Sequence, residues 1–91
     1  MPKIDIRRPH QLPIAEARAV VDLVAARMRE KFGMDGRWLD DTLLFSRPGV
    51  SGSIAVGKET IQVKAELGLL LGPLKGMIEQ EIQRKLDEHF T

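Results

Sequence analysis

Gly52-Ser53-Ile54-Ala55-Val56-Gly57-Lys58 has the spacing of a phosphate-binding GxxxxGK loop. Such a loop gathers backbone N–H groups into a nest at a helix start, and a following Ser or Thr holds magnesium. Here Glu59 follows the lysine, the interior alternates like a strand, and no helical pattern starts after Lys58. The segment is expected to be a hairpin turn. His10 and His89 are the only histidines, and neither has a companion at metal-ligand spacing. Asp40-Asp41 offers two carboxylates, but neighbours in a strand or tight turn diverge, so a solvated turn is expected. Ser51 and Ser53 lack a His–Asp pattern, and Gly49-Val50-Ser51-Gly52 is not the GxSxG nucleophile elbow. No acid–base pair or activated nucleophile emerges, so the chain is expected to be a non-enzymatic binding module with no cofactor and no metal.

Two surface features could serve binding. Lys3, Arg7, Arg8 and His10 form a basic cluster that could meet phosphates or an acidic partner. Tyrosine is absent and Trp38 is the only tryptophan, beside three phenylalanines. A stacking platform for single-stranded nucleic acid is therefore poorly supplied, and no nucleic-acid partner is expected. Trp38 itself is either buried with a partner for its N–H or exposed as an anchor.

The second feature is Leu67-Gly68-Leu69-Leu70-Leu71-Gly72-Pro73-Leu74-Lys75-Gly76-Met77-Ile78. A small soluble protein must bury such a run or use it on a partner. Gly68, Gly72 and Gly76 mimic overlapping GxxxG motifs, which would mark a dimer seam in a membrane helix. Pro73 breaks the run, so a strand-to-helix junction with tight turning and close packing is expected instead. Leu69, Leu70, Leu71, Leu74, Met77 and Ile78 are the candidate contacts for a ligand or partner.

The elements that must position these residues follow from periodicity. The 91 residues fit one domain, residues 1–91, and the 43% hydrophobic and 30% charged content is that of a globular protein. A net charge of +1 gives no global field for nucleic acid. Cysteine is absent, which removes disulfides and thiolate metal sites and suits a reducing compartment. The charged start is unlike a secretory signal, and the apolar run is too short to span a bilayer, so a cytoplasmic protein with no integral membrane segment is expected.

Lys3 to Arg8 alternates as a strand, with Ile4 and Ile6 on one side, and Pro9 is expected to end it. Leu12 to Phe32 reads as a helix with Pro13 at its first position and an apolar stripe of Ile14, Ala17, Val21, Val24, Met28 and Phe32. Gly33 is placed to end it. Strands follow at Gly36 to Leu39, Thr42 to Arg47, Val50 to Val56 and Thr60 to Leu67. Asp40-Asp41, Pro48-Gly49 and Gly57-Lys58-Glu59 supply the turns. Their short connections imply antiparallel neighbours. A helix from Pro73 to Phe90 carries Leu74, Ile78, Ile82, Leu86 and Phe90 on one stripe, with Glu81 and Lys85 spaced as an ion pair. The order β-α-β-β-β-β-α predicts an α+β two-layer sandwich. About five antiparallel strands would carry both helices on one face, a reduced helix-grip layout that could enclose a cavity.

Three segments together resemble one family. Ile4-Asp5-Ile6-Arg7-Arg8-Pro9-His10, Arg47-Pro48-Gly49-Val50-Ser51-Gly52, and Leu67 to Gly76 followed by Ile78-Glu79-Gln80-Glu81-Ile82 resemble the polyhydroxyalkanoic acid system family, also described as polyhydroxyalkanoate granule-region proteins. The resemblance covers nearly the whole chain. It implies a bacterial cytoplasmic protein of storage-polyester metabolism, working at or near the granule surface, and brings no catalytic residues. The first expectation is therefore an accessory protein that binds a granule protein, the polyester surface or an acyl-type ligand through apolar surface near Leu69 to Met77. The alternatives are a hydrophobic-ligand carrier with a pocket lined by Val63, Leu74, Ile78 and Ile82, or a structural homodimer that hides the leucines.

Overall fold

The alternation of Ile4, Ile6 and Arg8 with Lys3, Asp5 and Arg7 builds an outer strand that presents one face to a core and one to water. In the computed structural model, which describes residues 3–89, this is β1 (Lys3–Pro9). It is followed by α1 (Ile14–Phe32), β2 (Asp35–Leu39), β3 (Thr42–Arg47), β4 (Val50–Val56) and β5 (Thr60–Leu67). A short 3-10 helix, Leu69–Leu74, then leads into α2 (Lys75–His89). The five strands form one antiparallel sheet in the order β1-β5-β4-β3-β2. The α+β class, the element order and the one-faced placement of both helices agree with the sequence expectation.

Register explains the two faces. Ile6, Val63, Ile54, Leu43 and Trp38 lie across from one another in one row, and Ile4, Ala65, Gly52, Phe45 and Gly36 in the next. Both rows face the helices. The opposite face carries Asp5, Lys64, Ser53, Leu44 and Arg37 in a row and is solvated. The core joins the apolar row residues to Ala17, Val21, Val24, Met28 and Phe32 of α1 and to Ile78, Ile82 and Leu86 of α2. Phe45 lies over Gly52, where an added Cβ would come within 2.5 Å of the ring. The glycine is therefore the space in which the ring packs.

Several boundaries move for local reasons. Pro13 is the residue before α1 rather than its first helical one: its extended ψ of 150° places it outside, and Ile14 begins the helix. Ile14 is only half-buried at that end. Gly33 closes α1 in the left-handed conformation, φ 68°, with its N–H donating to the Arg29 carbonyl. Pro9 is the last residue of β1, as expected, and still lies opposite Thr60. The His10 N–H bonds the Glu59 carbonyl, so by alternation the backbone of Pro9 faces the outer edge, where no donor is needed. Pro73 lies in the 3-10 helix, and α2 begins at Lys75. Phe90, expected to extend the α2 stripe, lies outside the described residues.

Candidate functional site

Leu67 is the last inward residue of β5 and is wholly buried, so the chain must turn immediately after it. Gly68 makes the turn, and its N–H donates to the Gly49 carbonyl at 2.7 Å. The Leu71 N–H then bonds the Gly68 carbonyl at 3.0 Å and opens the 3-10 helix. Leu71 packs on Gly49 of the β3–β4 turn, whose φ of 86° already requires a residue without Cβ. This leucine turn is thus tied to the sheet at its base.

Its side chains divide. Leu71 and Leu74 are half-buried against the core, and Ile78 on the first turns of α2 is fully buried. Leu69 is 78% exposed, Leu70 96% and Met77 49%. Of the six candidate contacts, Leu69, Leu70 and Met77 therefore form the surface. Leu71 and Leu74 hold it to the body. Ile78 is corrected from contact to core, because it points at the sheet. Gly76 is also corrected: nothing lies within 4 Å of where its Cβ would stand, so it serves no close packing.

The pocket expected for an acyl chain is not seen. Val63, Ile78 and Ile82 are wholly buried in one packed cluster. Four open grooves among the described residues are lined neither by them nor by Leu74. The space between α2 and the sheet is filled by the side chains that hold the two layers together.

The basic cluster is dispersed by the pleat. Lys3 and Arg7 lie on the open sheet face, and Lys3 pairs with Glu66 across the strand at 3.6 Å. Arg8 points to the helix side and pairs with Asp87 of α2. His10 is buried. Its Nε2 donates to the Gly57 carbonyl at 2.7 Å, and its Nδ1 accepts the Leu12 N–H at 3.1 Å. It fastens the entry to α1 onto the β4–β5 turn. The GxxxxGK segment is β4 and that turn, with Gly57 N–H bonded to the Thr60 carbonyl, and forms no phosphate nest. Among the described residues no group of three or more His, Cys, Asp or Glu is placed to hold a metal ion.

Two polar clusters were not legible from spacing. Glu81 sits at the seam between the helices, nearly buried, and accepts from Lys31 at 2.7 Å and Arg27 at 3.2 Å, with Arg84 at 3.5 Å. The hydrogen bonds from Lys31 and Arg27 favour the carboxylate more than burial disfavours it, and its pKa is lowered from 4.5 to about 2. The expected Glu81–Lys85 pair is corrected accordingly: Glu81 turns toward α1, and Lys85 pairs with Glu88 at 3.2 Å. Trp38, half-buried, donates its Nε1–H to Asp22 at 2.8 Å, while the Arg18 guanidinium lies 4.4 Å from the ring centroid. Arg18 also pairs with Asp41 at 3.5 Å. No local motif announces either cluster, because each partner set is assembled from distant parts of the chain.

Among the described residues no helix is long and apolar enough to cross a membrane. The profile of one protein family, described as "Putative polyhydroxyalkanoic acid system protein", matches residues 4–90. Comparison with curated proteins and with solved structures gives no match.

Proposed function

The chain belongs to the polyhydroxyalkanoic acid system family, and from that premise we propose that it is a non-enzymatic accessory protein that docks on the polyester surface of storage granules through its leucine turn. The carrying observation is the exposure of Leu69 and Leu70 on a base pinned by Leu71 and the Gly68–Gly49 hydrogen bond. Leu69 and Leu70 stay in water in the folded chain and add little to its packing. The surface is pre-shaped, so docking costs little ordering entropy.

The magnitude suits reversible attachment. Full burial of a leucine is worth about 1.5–3 kcal/mol, and association costs offset part of that. One turn gives weak binding, and many copies on one granule accumulate by mass action. The protein would act in the cytoplasm at the granule boundary, with no cofactor.

The test is co-sedimentation with purified polyhydroxyalkanoate granules, comparing wild type with Leu70→Asp. Leu70 touches little of its own molecule, so the variant keeps its fold, which circular dichroism would verify. Loss of sedimentation is the expected result. Equal sedimentation of a folded variant would remove the leucine turn as the contact.

A further inference from the structure

The two edges of the sheet are not alike. The outward backbone groups of β1 belong to Lys3, Asp5, Arg7 and Pro9, so charge and a missing donor guard that edge. On the other side, the Asp41 carbonyl accepts the Val56 N–H at 2.8 Å. By alternation, Thr42, Leu44 and Ser46 bond to β2 through their partners Leu39, Arg37 and Asp35. The N–H and C=O groups of Gly36 and Trp38 therefore point off the sheet, where no further strand among the described residues pairs with them.

Beside this edge runs an open groove of about 250 Å³ between β2 and α1. Ala25, Ala26, Gly36 and Leu43 are among its lining, with Trp38 at one end and Arg29 further along. Trp38 is fixed by Asp22 and Arg18. Arg29 has no ion pair or side-chain hydrogen bond among the described residues, unlike Arg18, Arg27 and Arg8.

We propose that the β2 edge and this groove bind an extended peptide segment of another protein, paired as an added strand, with an apolar side chain over Gly36 and a carboxylate at Arg29. Each part of the ligand answers one feature of the site. Another backbone in extended form meets the donors and acceptors of Gly36 and Trp38 together, in place of water. The small residues leave room for an apolar side chain on the α1 side. The unpaired guanidinium fits a carboxylate. A second copy of this chain is the poorer occupant. Full overlap of two antiparallel β2 strands sets Arg37 directly against its own copy, which is unfavourable. This groove is separate from the leucine turn, so the peptide site and the granule contact stand or fall independently.

Trp38 is the only tryptophan, so its emission reports on the groove directly. The probes are two synthetic acetylated peptides of alternating valine and threonine, one ending in a glutamate and the other in an amidated lysine. The glutamate peptide should give a saturable change and bind about tenfold more tightly than the lysine peptide, with Arg29→Glu reversing the order. Gly36→Ala should weaken binding while the protein stays folded, since the new Cβ meets Leu43 at an ordinary 3.5 Å. Amide exchange should slow at Gly36 and Trp38. No saturable change at millimolar peptide, or equal binding of both peptides, would overturn the proposal. So would self-association that Gly36→Ala abolishes, since that would make a second copy the occupant.

Discussion

Leu70 and Ile82 are both aliphatic and belong to neighbouring elements, yet they meet opposite surroundings. Ile82 lies on the side of α2 that closes over the sheet, with Ile78 and Leu86 above and below it and no contact with water. Leu70 stands almost wholly in solvent at the tip of the leucine turn. The layer between α2 and the sheet spends its side chains on the fold. The turn holds its leucines away from the fold, on a base the fold makes rigid. Hydrophobicity alone does not separate a core residue from a contact residue; the direction in which the backbone aims the side chain does.

Substitutions can break this contrast. Ile82→Ala should cost about 3 kcal/mol, since it removes buried methyl groups and leaves a hole between two layers. Urea unfolding measures it, and a loss under about 1 kcal/mol would mean that α2 and the sheet are not tightly packed there. Gly49→Ala should cost about 1–2 kcal/mol, because a left-handed φ and the Leu71 side chain both oppose a Cβ. It should also loosen the leucine turn, seen as faster exchange of the Gly68 N–H. An unchanged exchange rate would show that the turn does not depend on its tie to Gly49.

The contribution of Glu81 depends on pH. Its folded pKa of about 2 lies below its ordinary 4.5. The stability it supplies is complete above about pH 4.5 and is lost as the pH falls through about 2. Glu81→Gln should therefore flatten the acid decline of stability in that window, and identical acid profiles would remove the carboxylate from the account. The smallest effect on stability belongs to Leu70→Asp, expected within about 0.5 kcal/mol of wild type by thermal unfolding. A strong destabilisation there would place Leu70 among the fold's own contacts and erase the contrast with Ile82.

Much of this arrangement can be read along the chain. Period two marked β1, β3, β4 and β5 because each strand has one dry and one wet face. The stripe from Ala17 to Phe32 marked α1, and Gly33 closed it as a residue free to adopt a positive φ. β2 was shorter in expectation by one residue, since Asp35 carries no apolar signal. The candidate contacts were named as a group because Leu69 to Ile78 is one apolar run. Which of them face outward could not be read, because a 3-10 helix and an α-helix with different periods meet inside that run. The basic cluster failed for a similar reason: neighbours in a strand point to opposite faces, so Arg7 and Arg8 part company.

By itself, then, the sequence determined the element order, the antiparallel pairing of the strands and the two stripes that seal the sheet. These depend on the local pattern of apolar and polar residues and on turn residues a few positions apart. Only the tertiary structure decided that Glu81 answers Lys31 and Arg27, that Trp38 is held by Asp22 and Arg18, and that Leu69 and Leu70 stay in water. These outcomes depend on which surfaces remain once distant segments have packed, and no window along the chain contains both partners.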